Sequence, residues 1–186
     1  MLAAGPAPGG GLSESKETER SSAASDAREI LGAYFAELQA GRFDAPLRHY
    51  SADGVGTLHG NFGPARREEV ANYLSELRKA FPDLSFQVLD LIAENDTAAF
   101  RWRLRGTFSG PGRFMGFRPT GAALDFEGLD IGQVADGKIQ RLDGYADGMT
   151  IARQLGLMPQ TGSIGERVMT AVLNARTLIA HRLLRR

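Results

Sequence analysis

The chain contains no cysteine. Disulfides, thiolate nucleophiles, iron–sulfur clusters and cysteine zinc sites are therefore excluded. Its three histidines, His49, His59 and His181, are scattered through the sequence and do not announce a metal cluster. No apolar run approaches the ~20 residues that a membrane span needs. Neither sign of charge dominates: 22 basic residues stand against 22 acidic ones, and the pI is about 6.8. That balance gives no reason to expect nucleic acid or an anionic membrane as the main partner. The first residues lack a charged-then-apolar signal pattern, so a cytoplasmic protein is expected. What is present is ordinary for a folded domain. The chain has 186 residues and 42% hydrophobic content, enough for one domain with tails.

Residues 1–25 are rich in Gly, Ala, Pro and Ser, then in Glu, Lys and Arg, and are expected to be a disordered tail. Ser25 or Asp26 can cap a helix running to about Ala40, with Ile30, Leu31, Tyr34, Phe35 and Leu38 on one stripe. Phe43 to Tyr50 reads as a shorter helix, and Ser51 to Gly63 as loop with a short strand at Val55–Leu58. Pro64 suits the first turn of a third helix, whose stripe is Val70, Tyr73, Leu74, Leu77 and Phe81, ended by Pro82. Leu84–Ala93 and Thr97–Phe108 read as strands. The second alternates cleanly: Phe100, Trp102, Leu104, Gly106 and Phe108 share one face, and Arg101, Arg103, Arg105 and Thr107 the other. The arginines read as a solvated or subunit-facing surface rather than a nucleic-acid patch.

Ala122–Val134 and Lys138–Tyr145 read as two strands joined at Asp136-Gly137, a dipeptide that favours the type I′ turn matching strand twist. A short helix, Met149–Leu155, follows, and a last amphipathic helix runs from Ile164 to about Arg185. That last helix is expected to dock on its own domain or on a partner subunit; it lacks the Trp or Phe of a membrane-surface helix. Strands in succession with hairpin links give an α+β fold with an antiparallel sheet rather than βαβ units. The domain is expected over 26–160, with 161–186 as an added helix.

The closing hairpin is rich in acids. Asp125, Glu127 and Asp130 lie on its first strand, and Asp143 and Asp147 at the end of its second. Asp143, Tyr145 and Asp147 would share one face if the strand runs that far. A carboxylate on a covered face is costly to desolvate unless it is paired or used. Asp130 is expected to support the hairpin by pairing with Arg141.

Several motifs occur together in order: Gly-Thr-Phe-Ser-Gly (106–110), Phe114-Met115-Gly116, Pro119-Thr120-Gly121, Phe126 to Ile131, Asp136-Gly137-Lys138-Ile139 and Gln154-Leu155-Gly156-Leu157. With Ala80-Phe81-Pro82-Asp83-Leu84 and Leu58-His59-Gly60, this series resembles the SnoaL-like polyketide cyclases over about Ala27 to Pro159. The resemblance implies a nuclear-transport-factor-2-like cone: three N-terminal helices over a curved antiparallel sheet, enclosing a deep apolar pocket. It implies no metal and no cofactor. It also implies closure of a ring in a polyketide ester by an intramolecular aldol reaction, and a homodimer formed through the outer sheet face. The aspartate ahead of the Gln-Leu-Gly helix, which serves such cyclases as acid/base, is Asp147 here. Two positions depart from the pattern: Phe108 stands where many members have a histidine, and Leu142-Asp143 where many have His-Trp.

The candidate catalytic residues are thus Asp147, Asp143 and His59. Asp147 has an alternative as the N-cap of the helix behind it, Asp143 as a surface residue, and His59 as an exposed loop residue. Trp102, Phe108, Tyr34, Tyr50, Tyr145 and Phe114 are candidate walls for a small apolar molecule; Tyr34 and Tyr50 fit a core stripe equally well. The functions in view are a cofactor-independent cyclase, an enzyme that opens an epoxide or adds water between two carboxylates, and a non-catalytic binder of apolar metabolites.

Overall fold

The computed structural model describes residues 11–183; the expectations for residues 1–10 and for 184–185 lie outside them. Helix α1 (Gly11–Gln39) leads through a 3₁₀ turn (Ala45–His49) to strands β1 (Tyr50–His59) and β2 (Phe62–Arg66). Helix α2 (Arg67–Ala80) follows, then β3 (Ser85–Glu94), β4 (Thr97–Thr107), β5 (Ala123–Ala135) and β6 (Lys138–Ala146). Helices α3 (Gly148–Gln154) and α4 (Ile164–Leu183) close the chain.

The six strands form one sheet in the order β2-β1-β6-β5-β4-β3. From β3 to β6 it is the antiparallel meander that the sequence predicts. It is nevertheless a mixed sheet, because β1 pairs parallel to β6. That pairing joins segments some ninety residues apart and leaves no local signal. The turn at Asp136-Gly137 has φ of 52° and 66°, both positive as type I′ requires.

Three expectations change in detail. Helix α1 begins at Gly11, far ahead of Ser25. Its added turns carry Ser, Glu, Lys and Ala with no apolar stripe, so periodicity is blind to them although their propensity is adequate. Residues 50–59, read mostly as loop, are a full strand, because pairing with β2 on one side and β6 on the other supplies its ladder. Helix α2 starts three residues after Pro64, because β2 claims that stretch: Ala65 and Arg66 pair with Gly56 and Val55. The Arg66 N–H donates to the Glu69 carboxylate (2.8 Å), satisfying one orphan group at the start of α2.

Burial follows the apolar stripes. Leu31, Tyr34, Phe35 and Leu38 of α1, and Val70, Leu74 and Leu77 of α2, are buried. Helix α1 lies across β3, β4 and β5, and α2 packs on β1 and β2. On β4, Phe100, Trp102 and Leu104 point inward, while Arg101 and Arg105 are exposed on the outer face. There Arg101 bonds Asp90 and Glu127, and Arg103 makes two bonds to Asp125 at 2.6 Å. These are exposed pairs, worth little each in stability. The outer face is therefore charge-paired, and the inner face holds the core.

Candidate active site

Between the helices and the inner sheet face lies a cavity of about 150 Å³. Its walls are mostly apolar: Leu38, Val70, Leu74 and Leu77 from the helices, Trp102, Leu104, Phe126 and Leu142 from the sheet, and Phe114 from the loop after β4. Tyr34, Tyr50 and Tyr73 bring hydroxyls to it, and the His59–Phe62 turn and Met115 border its mouth.

Among the described residues, one carboxylate lines this cavity, and it belongs to Asp130. β5 alternates Phe126, Gly128, Asp130 and Gly132 inward against Leu129 and Ile131 outward. The indole Nε1–H of Trp102 donates to Asp130 Oδ1 at 2.9 Å. Two glycines make this pairing possible. A Cβ on Gly128 would lie 2.3 Å from the Trp102 ring, so only glycine lets the indole lie flat there. A Cβ on Gly144, directly across from Asp130 in the register, would lie 2.9 Å from Asp130 Oδ1.

Removal from bulk water pushes the Asp130 pKa up to about 7. The Trp102 hydrogen bond pulls it back, and the negative charge of Asp143 on the neighbouring strand pushes it further up. A carboxyl titrating there can both take and give a proton near neutral pH. Burial raises the Tyr34 and Tyr50 pKa values, so both stay neutral hydroxyls. Among the described residues, the Tyr50 hydroxyl meets no hydrogen-bond partner. Among the described residues no three histidine or carboxylate side chains group closely enough to hold a metal ion.

The residues named from sequence divide between the two faces. Trp102, Tyr34, Tyr50 and Phe114 line the cavity. Phe108 does not: it is fully buried behind it, stacked on Phe81 with ring centroids 5.1 Å apart. Asp143 and Tyr145 do share a face, as alternation requires, but it is the outer one. Tyr145 is exposed and stacks on His59 at 4.3 Å. Asp143 bonds Arg141 and lies 3.5 Å from His59 Nε2. Partial burial opposes its ionisation, but the Arg141 guanidinium outweighs this and holds its pKa below the usual range. Arg141 thus pairs with Asp143, and the expected Asp130–Arg141 pair does not form.

Asp147 is likewise corrected. It is exposed, and its Oδ1 accepts the N–H groups of Met149 (3.0 Å) and Thr150 (3.2 Å) while Thr150 Oγ1 donates to Oδ2 (2.6 Å). The Thr150 bonds lower its pKa. An acid held ionised by a helix N-terminus in water is a cap, not a proton shuttle. Asp147→Ala should cost about 1 kcal/mol in urea unfolding and leave any activity within about twofold; a loss of activity at unchanged stability would return Asp147 to the site. The acid that the sequence passed over, Asp130, carried a signal: it alternates in phase with Phe126 and with the wide gaps left by Gly128 and Gly132.

A model of the SnoaL-like polyketide cyclases matches residues 28–155, well over half of the chain. Among solved structures, AclR from Streptomyces galilaeus, assigned as a hydroxylase, superposes with a TM-score of 0.64 at 21% identity, over 86% of this chain and 97% of its own. A protein from Jannaschia assigned as a SnoaL-like polyketide cyclase gives 0.63 at 23%, over 73% and 94%. IdmH from Streptomyces antibioticus, assigned as a polyketide cyclase, gives 0.59 at 27%, over 70% and 98%. No curated protein matches. The helices on a curved mixed sheet are the nuclear-transport-factor-2-like cone shared by these neighbours, and the chain belongs to the SnoaL-like polyketide cyclase family.

Proposed function

We propose that the protein is a cofactor-independent acid/base enzyme acting on a small apolar molecule that bears a carbonyl, with Asp130 as the group that moves the proton. One observation carries this reading: a single carboxyl, pushed to about pH 7 by burial, faces an apolar cavity. Aldol ring closure needs a proton removed beside one carbonyl and a proton delivered to the carbonyl under attack. Ionised Asp130 takes the first, and the resulting carboxylic acid can give it to the second. Apolar walls exclude water, which would otherwise quench the enolate. Neutral Tyr34 and Tyr50 supply hydroxyls at the wall for a carbonyl oxygen. The cavity volume of about 150 Å³ equals that of engineered cavities that take up benzene, so the reacting end of the substrate has the size of one ring.

The water-activating alternative requires two carboxylates over one cavity. Asp143 stands on the outer face against Arg141, so the geometry favours proton transfer by one acid. A non-catalytic binder would have no use for an acid whose burial is this costly.

Deuterium exchange beside the carbonyl of an apolar single-ring ketone, followed by NMR, tests the reading without knowledge of the natural substrate. The enzyme-dependent exchange should rise with pH and level off above about 7, as Asp130 ionises. Trp102→Phe removes the donor that favours the carboxylate, so the midpoint should move to higher pH. Exchange that is absent, or flat through this range, would leave only a binder.

A further inference from the structure

The hydroxyls that reach the cavity are not equivalent. That of Tyr73 is already engaged, accepting the Asn61 side-chain amide at 3.2 Å. That of Tyr50 meets no partner among the described residues, although Tyr50 is only 3% exposed. A buried hydroxyl without a partner weakens a fold, so one that persists in a cavity wall is poised to pair with a ligand atom. The backbone in front of it is bare. A Cβ on Gly56 would lie 3.3 Å from the Tyr50 hydroxyl oxygen and 2.7 Å from Val70 Cγ2. A side chain there would cover the hydroxyl and crowd the wall. Gly144 leaves Asp130 uncovered in the same way, since a Cβ there would lie 2.9 Å from Oδ1. Both glycines line the cavity.

The strand register measures the gap between these two openings. Gly56 pairs with Leu142 and Leu58 with Gly144, so the glycines are diagonal neighbours on β1 and β6, one strand and two residues apart. A strand spacing of ~4.8 Å and a rise of ~3.3 Å per residue put them ~8 Å apart. A carbonyl compound undergoing deprotonation has that reach. The carboxylate stands ~3 Å from the carbon that loses the proton, that carbon lies ~2.4 Å from its own carbonyl oxygen, and a hydroxyl donates to this oxygen across ~2.8 Å.

We propose that Tyr50 selects the substrate: its hydroxyl donates to the oxygen of the carbonyl beside which Asp130 takes the proton. The chemistry of this assignment rests on the acid/base reading of Asp130; the binding contact does not need proton transfer. A one-ring carbonyl compound is accepted because its oxygen pairs the hydroxyl. A hydrocarbon of the same shape leaves the hydroxyl buried and unpaired, and is rejected. Burial raises the Tyr50 pKa, and the Asp130 charge adds to the rise, so the hydroxyl keeps its proton and donates it. As the enolate forms, its oxygen gains negative charge and the same hydrogen bond strengthens. The proton leaving carbon goes to Asp130, and Tyr50 remains a hydroxyl throughout.

Two probes of one shape test this: cyclohexanone, and methylenecyclohexane, in which a CH₂ group replaces the oxygen. Both are titrated calorimetrically into the full chain carrying Asp130→Asn, where no proton moves, with and without Tyr50→Phe. Phenylalanine keeps the ring that meets Tyr34 edge-on at 5.8 Å. Tyr50→Phe is expected to weaken cyclohexanone binding about 5- to 150-fold and to leave methylenecyclohexane unchanged or tighter. Its urea midpoint should be unchanged or higher, since an unpaired hydroxyl is removed. With Asp130 in place, Tyr50→Phe should slow deuterium exchange into saturating cyclohexanone by about 10²–10³-fold. Equal weakening of both probes would mean a damaged wall, and unchanged cyclohexanone binding would mean that its oxygen lies elsewhere; either overturns the proposal. So would a selective loss caused by Tyr34→Phe and not by Tyr50→Phe. Selective loss of cyclohexanone in Tyr50→Phe, with no exchange by the unaltered protein, would uphold Tyr50 as the selector and end the acid/base reading instead.

Discussion

Asp130→Asn is expected to lower turnover by about 10²–10⁴-fold, the usual share of general acid–base catalysis, and to leave ligand binding within a few-fold. Asparagine has the same shape. Its side-chain oxygen can still accept the Trp102 Nε1–H, so the indole has no reason to move. The apolar walls that hold the substrate are untouched. What disappears is the capacity to take a proton and return it. Calorimetric titration with an apolar single-ring ketone, beside deuterium exchange on the same compound, separates the two effects. Activity that survives within about threefold would remove Asp130 from the mechanism. Equal loss of binding and exchange would show that the site had collapsed rather than lost a proton carrier.

For stability the same substitution should act in the opposite direction, and only at high pH. Folded Asp130 has its pKa raised to about 7 from the ordinary 3.8, because burial disfavours the carboxylate. Its contribution to stability is therefore fully present below pH ~4, where both states hold the proton. It is lost progressively as the pH rises through about 7, since the unfolded chain releases the proton freely and the folded one resists. Three pK units correspond to about 4 kcal/mol. Asparagine does not titrate, so this loss is absent from the variant. Urea unfolding should find the two proteins nearly equal at pH 4 and the variant more stable by up to about 4 kcal/mol at pH 8. Parallel curves across that window would mean that the carboxyl is well solvated in the folded protein. The pairing of lost activity with gained stability is the expected signature of a group kept for chemistry.

The meander, both main apolar stripes and the tight hairpin were legible because each rests on local periodicity or turn chemistry. Phe100, Trp102 and Leu104 against Arg101 and Arg105 needed nothing but a period of two. The parallel partnership of β1 with β6 was not legible, because no local pattern tells a strand which distant edge it will meet. The candidate site was half readable. The expectation of an acid from the closing ribbon beside an apolar hollow has a geometric counterpart: Asp130 lines the cavity with Trp102, Tyr34, Tyr50 and Phe114. The acid at the cavity wall is Asp130, and neither Asp143 nor Asp147 lines it. Asp147 sits ahead of a Gln-Leu-Gly helix, and a motif read along the chain gives it priority; in space it satisfies a helix end. Asp143 and Tyr145 were correctly grouped on one face, but alternation alone does not say which face the helices cover. That is settled by Leu142 and Gly144, which point to the cavity and turn their neighbours outward.

Asp130 and Gly144 face each other across adjacent strands, and a side chain on either would reach the same point of the hollow. A reactive group could therefore change its carrier strand during divergence while its spatial address stayed constant. Two cones of this kind could run one reaction with acids that no end-to-end alignment would superimpose, provided a bare backbone opposite left room for the newcomer.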